Sequence, residues 1–281
     1  MELNGYPATG RQHNIQAGRM KILAALLWLS LLVAGCASHL PALQDPTAVE
    51  QEQGRLLLER LSGNRTPQRI DLDLVLSWHG YGQSGKVNGE LQATGEGEFR
   101  FAVPDPLGRP LFLFAATPAR FILIDNQQGH VYTGPVWNSL VRKYIPDRIS
   151  LPLIYALLVD QVPDQEPESI YRDKKATRAF WYVFGLPGQC VRMILADEDH
   201  LLPLRQIVIG PDKHVVLDLS YEGPAGSEAG RPLVPTRIQI AGDGLPASFQ
   251  LTIHSWYPDP KFSRKIFHVQ PPSSFTVENI Q

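Results

Sequence analysis

The clearest pattern in the chain is an alternation from Arg69 to Trp78. Ile70, Leu72, Leu74, Leu76 and Trp78 are apolar, and Asp71, Asp73, Val75 and Ser77 stand between them. Successive side chains of a strand point to opposite faces, so a period of two predicts a half-buried β-strand. Similar, shorter runs predict strands at Val87–Ala93, Glu98–Val103, Leu111–Ala116, Arg120–Asp125 and His130–Thr133. After a polar break containing Pro163 and Pro167 they resume at Phe180–Phe184, Gln189–Leu195, Leu204–Ile209, His214–Tyr221, Thr236–Ala241 and Ser248–Trp256. The links are short and rich in Gly, Pro or Asn, as in a meander of hairpins. The total is about eleven strands.

Three stretches read as helix. Thr47 with Glu50 makes a capping box, and the helix it starts runs to Leu61 with Val49, Leu57 and Leu61 on or near one face. Gly63 and Pro67 end it. Pro135–Tyr144 carries an apolar stripe of Val136, Trp137, Leu140, Val141 and Tyr144, and Ser150 stands where it would cap Leu151–Asp160. Residues 223–235 read as a long Gly/Pro-rich loop. The tail after Tyr257 holds one candidate strand, Arg264–Val269, and then frays.

Consecutive antiparallel strands in this number stack as a sandwich or curl into a barrel. A barrel of that size has a lumen too wide for side chains alone to fill. Its apolar inward faces then line a cavity or are plugged by helices. The candidates for such a lining are Leu72, Leu74, Leu76, Phe99, Phe101, Leu217, Leu219, Phe249, Leu251 and Ile253. The alternative is that these residues simply pack against one another. Methylenes need contact area and no hydrogen bonds, so an apolar hollow suits hydrocarbon chains.

The N-terminus changes the picture. Arg19 and Lys21 precede an apolar run, Ile22 to Val33, and then Ala34-Gly35-Cys36. The run is too short to span a bilayer stably and has the length of a signal-peptide core. The small residues before Cys36 look like a lipobox, which directs diacylglycerol to that thiol after cleavage before it. One acyl chain anchors only marginally, whereas the two or three on such a cysteine hold firmly. Residues 1–19 do not resemble the start of a signal peptide. Either Met20 is the true start or the n-region is unusually long. Ala37–Pro46 reads as a tether, with Pro41 and Pro46 discouraging regular structure.

The chain has 281 residues, 43% of them hydrophobic and 19% charged, which is ordinary globular composition. With a net charge of −2 and no basic stripe, nothing points to a nucleic-acid partner. Once Cys36 is lipidated, Cys190 has no thiol to pair with and reads as a small buried hydrophobe. No zinc-protease helix motif and no phosphate loop occur, and Gly82-Gln83-Ser84-Gly85 lacks the spacing of a hydrolase elbow. The His residues show no pair at metal-ligand spacing. The expectation is therefore a protein without catalytic residues, metal or cofactor.

One short segment stands apart. Pro106-Leu107-Gly108, within DPLGR, favours a tight turn with a leucine at its tip. A leucine there is costly to leave in water and useful where it dips into lipid. It would otherwise fold back onto the core.

Three segments together resemble the LolB family of outer-membrane lipoprotein receptors and, more distantly, its periplasmic carrier relative LolA. They are Pro106-Leu107-Gly108 with LFLFAATPARFILIDNQQGHVYTG, then ISLPLIYALLVDQVP, then LRQIVIGPDKHVVLDLSYEG followed by LVPTRIQIAG and FQLTIHSWYP. The resemblance covers roughly residues 48–257. It implies a mainly β fold, an unclosed antiparallel half-barrel of about eleven strands with helices covering the open side. It divides the chain into a signal peptide (1–35), a lipidated tether (36–46), the half-barrel (47–257) and a C-terminal extension (258–281). It implies a monomer, anchored in the outer membrane through Cys36 and facing the periplasm. That monomer takes lipoproteins by their acyl chains from a LolA-like carrier and inserts them into the membrane. Leu107, flanked by Pro106 and Gly108, inherits by position the role of the residue presented to the membrane. Residues 168–195 depart from the family pattern as added or lengthened strands. The alternative is an envelope lipoprotein of the same fold that binds another lipid or serves as an assembly scaffold.

Overall fold

A computed structural model describes residues 40–63, 66–80, 82–146, 149–176, 178–200, 202–224, 234–243 and 245–281. The signal segment, Cys36 and residues 225–233 of the long loop expected above lie outside the described residues.

One sheet of 15 strands dominates. The chain enters through β1 (Leu43–Gln44) and, after a helix, makes a six-strand meander: β2 (Arg69–Gly80), β3 (Gln83–Thr94), β4 (Phe99–Pro104), β5 (Pro110–Ala116), β6 (Arg120–Asp125) and β7 (His130–Pro135). A helical excursion follows. A seven-strand meander then runs through β8 (Ser169–Asp173), β9 (Ala179–Leu186), β10 (Cys190–Asp197), β11 (Arg205–Ile209), β12 (Val215–Pro224), β13 (Pro235–Ala241) and β14 (Ser248–Pro258). The two meanders join where β14 pairs antiparallel with β2. The sheet does not close. Its edges are β1, beside β8, and β15 (Thr276–Asn279), which pairs parallel with β7.

The strand count of about eleven is therefore too low. The strands missed are short and lie at or next to the sheet edges. β1 and β15 offer two and four residues, too few for a period to register, and β8 lacks flanking apolar alternation. The tail does not fray. Phe275 and Val269 pack on Ala102, Leu113, Ala115, Ile122, Ile124 and Val131, the faces of β4–β7 turned away from the main core, and β15 ends the wrap. Arg264–Phe267 is a short 3₁₀ turn rather than a strand. It is fixed by the buried Phe267 and by Arg264 paired to Glu96 and Glu98. The tether also gains structure, because Leu43 and Gln44 pair with Asp173 and Arg172.

Alternation decides which side chains meet. Ile70, Leu72 and Leu74 of β2, Leu91 and Ala93 of β3, Phe99 of β4, Leu217 and Leu219 of β12 and Leu251 and Ile253 of β14 are buried in one cluster on one face, called here the inner face. A one-residue slip would turn each set to the other side, so this burial fixes the register.

Three helices pack against that face. α1 (Ala48–Ser62) starts with the expected capping box: Glu50 N donates to the Thr47 hydroxyl, and Thr47 N donates to the Glu50 carboxylate at 2.8 Å. It buries Leu57 and Leu61 against Phe180, Tyr182, Phe184, Ile194 and Ala196. Val49, expected near the same stripe, is exposed. α2 covers only Ser139–Arg142, because Pro135 still belongs to β7 and Asn138 caps the backbone at Leu140 and Val141. α3 (Leu151–Leu158) is capped by Ser150, which accepts from Leu153 N.

Candidate functional site

The hairpins place their turns on two rims. The first rim holds the turns after β2, β4, β6, β9, β11 and β13; the second holds those after β3, β5, β8, β10 and β12. α3 packs at the second rim. The Tyr155 hydroxyl donates to Pro67 O at 2.7 Å just before β2, and Tyr221 at the far end of β12 donates to Leu157 O at 2.8 Å. Leu151 and Pro152 sit on Gly97 in the turn after β3, where φ is +87° and a side chain would collide with the proline ring.

Between α3 and the first rim lies a cavity of about 180 Å³. Its buried end is made by Ile149, Leu157, Leu158, Leu217 and Leu219. Its outer end is bordered by Tyr144, Ile145 and Pro146 on one side and by Leu245 and Phe249 on the other. Leu245 lies in the turn after β13 and Phe249 opens β14, so this end faces the first rim. Tyr144 is 55% exposed there. The walls are apolar side chains almost throughout, a surface that rewards hydrocarbon and gives a polar ligand nothing to bond.

Of the ten residues that the sequence offers as a lining, Leu217, Leu219 and Phe249 border this cavity. Leu72, Leu74, Phe99, Leu251 and Ile253 share the inner-face cluster without reaching the cavity, and Leu76 and Phe101 pack against it partly buried. Their alternation shows the face; it cannot show how far α3 and the residues around it fill the space above each position. The helical excursion between β7 and β8 contributes more than half of the lining, including Ile149, Ile154, Leu157 and Leu158.

A larger cleft of about 520 Å³ lies on the other face of β11–β14 and β2. It is lined by Arg205, Asp218, Ser220, Gln239 and Gln250 among others, with Arg205 donating to Asp218 at 2.7 Å. Trp78, Ile240, Ala241 and Phe249 also border it, so its walls are mixed, and an alkyl chain there would strip water from the charged and amide groups.

Sequence reading missed a buried polar cluster beneath the end of α3. Arg192, Gln206 and Asp160 are all inside. Arg192 Nε donates to Gln206 Oε1 at 2.8 Å, Gln206 Nε2 donates to Asp160 Oδ1 at 2.5 Å, and Arg192 also donates to Gln161 O. Asp160 holds φ +53°, and its second carboxylate oxygen has no partner. Burial pushes this carboxyl well above the ordinary aspartate range, against the Gln206 hydrogen bond and the Arg192 charge, which lower it. The available signal was Arg192 itself, which shares a face with Cys190 and Ile194. A charged residue at an inward position demands a partner.

Pro106, Leu107 and Gly108 form the turn between β4 and β5, on the first rim. Asp105 organises it. Its carboxylate accepts from Leu107 N at 2.8 Å, from Arg109 N at 2.9 Å and from Arg109 Nε at 2.8 Å. These bonds hold its pKa below the usual value, the Arg109 backbone bond contributing most. Gly108 takes φ +78°. Leu107 is 78% exposed, so it does not fold back onto the core, and Phe112 beside the turn is 38% exposed.

No protein-family model and no curated protein matches the sequence. Solved structures with a similar chain path include a LolA superfamily protein of Nitrosomonas europaea. It is 13% identical, with a TM-score of 0.49, and the match covers 76% of this chain and 96% of that one. A DUF1329 family protein of Desulfovibrio piger is 13% identical with a TM-score of 0.43, covering 80% and 98%. A domain described as outer membrane lipoprotein-sorting, from Vibrio parahaemolyticus, is 9% identical with a TM-score of 0.46, covering 78% and 97%.

Proposed function

We propose that this protein is an envelope lipoprotein that accepts the acyl chains of other lipoproteins through the first rim and passes them to the outer membrane. The observation that carries this reading is the apolar cavity that opens between Tyr144, Leu245 and Phe249. The lipobox-like Val33-Ala34-Gly35-Cys36 and the resemblance of residues 48–257 to LolB supply the membrane and the cargo. Ala37 after the anchor is not aspartate, which in the usual sorting logic favours the outer membrane.

The cavity as it stands is small. At roughly 30 Å³ for each water-sized group, 180 Å³ holds about six methylenes. Ligand sites more often measure about 300–1,000 Å³. A whole chain therefore requires Tyr144, Ile145 and Pro146 at the mouth to move outward, while the end of α3 stays fastened by Tyr221, Gln206 and Arg192. The small volume is also what favours the second reading, a scaffold whose interior never opens. Leu107 shares the rim with the cavity mouth, which suits it to meet the apolar surface the chain comes from or goes to.

Depletion separates the two readings. Loss of an acceptor strands lipoproteins on their periplasmic carrier. Loss of a scaffold leaves lipoprotein sorting intact, and that result would remove the acceptor reading.

A further inference from the structure

The tether and the cavity mouth leave the half-barrel from opposite rims. β8 ends at the second rim, where the turn to β9 begins. β1 runs antiparallel to β8, with Leu43 opposite Asp173, and Lys174 N donates to Ala42 O at 3.0 Å. The chain coming from Cys36 thus arrives at the second rim. Leu107, Leu245 and Phe249 all stand at the first.

Length then restricts the orientation. Six Cα steps separate Cys36 from Ala42, about 20–22 Å when fully stretched. A relaxed flexible stretch of that size spans only about 13 Å. β9 has eight residues, so the rims stand about 24 Å apart along a strand, or about 18 Å along the axis of a tilted barrel. The relaxed tether is shorter than the half-barrel is tall. Only a stretched tether running back along the sheet brings the first rim to the membrane that holds Cys36.

We propose that the anchored protein rests with its second rim toward its own membrane and its cavity mouth and Leu107 turned away from it. The mouth then faces the aqueous space from which a soluble carrier of acylated protein approaches. Delivery follows only when the domain turns over on its tether. This rests on the acceptor reading and on lipidation of Cys36.

The test uses the full lipidated protein in phosphatidylethanolamine–phosphatidylglycerol vesicles carrying a nitroxide-labelled lipid. A fluorophore is placed on Leu107→Cys at the first rim or on Ala119→Cys, an exposed position in the second-rim turn after β5. Cys190 is buried and the Cys36 thiol is consumed by lipid, so neither takes the dye. The label at position 119 is expected to lose most of its fluorescence and the label at position 107 to keep it. Stronger quenching at 107 than at 119, or equal quenching at both, overturns the orientation. Uptake of a fluorescent fatty acid, measured on the same samples, tests the acceptor reading separately. Uptake with reversed quenching defeats the orientation alone, and quenching as expected without uptake defeats the acceptor reading.

Discussion

Leu219→Ala opposes two consequences of the cavity. Leu219 is 2% exposed and forms its buried end with Leu157 and Leu158. Truncation removes three carbons, and large-to-small changes in a core cost about 2–5 kcal/mol. For a domain of this size that lowers the melting temperature by about 2–4 °C per kcal/mol. The same truncation makes room for about three more methylenes of a bound chain, each worth about 0.8 kcal/mol. The gain of about 2.4 kcal/mol corresponds to roughly fiftyfold tighter binding. Thermal melts with and without a long-chain fatty acid, and displacement of a fluorescent fatty acid, read both effects. The variant should melt lower when empty, bind more tightly, and recover part of its stability when loaded. A less stable variant with unchanged affinity would mean that the chain does not sit against Leu219.

Leu107→Glu should melt within about 0.5 kcal/mol of the parent, since the side chain is exposed, and yet deliver lipoprotein to vesicles poorly; unchanged delivery removes Leu107 from the mechanism. Gly97→Ala should cost about 1–3 kcal/mol, because it strains a positive φ and drives a methyl into Pro152; a neutral result in urea titration would mean that α3 is not seated on that turn. Asp160 has a folded pKa above its unfolded one, so the folded state holds its proton longer as pH rises. Compared with Asp160→Asn, the parent should therefore lose stability as pH climbs from the ordinary aspartate range toward the raised native value. If the parent instead gains stability on the same climb, the carboxylate is ionised in the fold as counter-charge to Arg192.

The large unclosed sheet was legible wherever a strand has one buried face. β6 falls at Arg120–Asp125 as the alternation predicts, and β2 begins at Arg69. The Thr47 capping box and the Asp105–Arg109 turn were equally readable, because their hydrogen bonds join residues a few positions apart. What escaped is decided by distant contacts. β15 exists because the tail wraps the outer face and reaches β7, and nothing within Thr276–Asn279 announces that. The place of the cavity along the sheet escaped for the same reason. Leu74 and Leu219 are indistinguishable as alternating leucines, and only the position of α3 leaves space beside one and not the other.

The most direct test of acyl-chain acceptance is photo-crosslinking. A lipoprotein carrying a photoactivatable palmitoyl group is loaded onto the protein, irradiated and digested, and the labelled residues are mapped. Label is expected on Leu217, Leu219 and Phe249 and on the facing residues of α3. Label confined to the outer surface, or no label at all on a folded protein, contradicts acyl-chain acceptance.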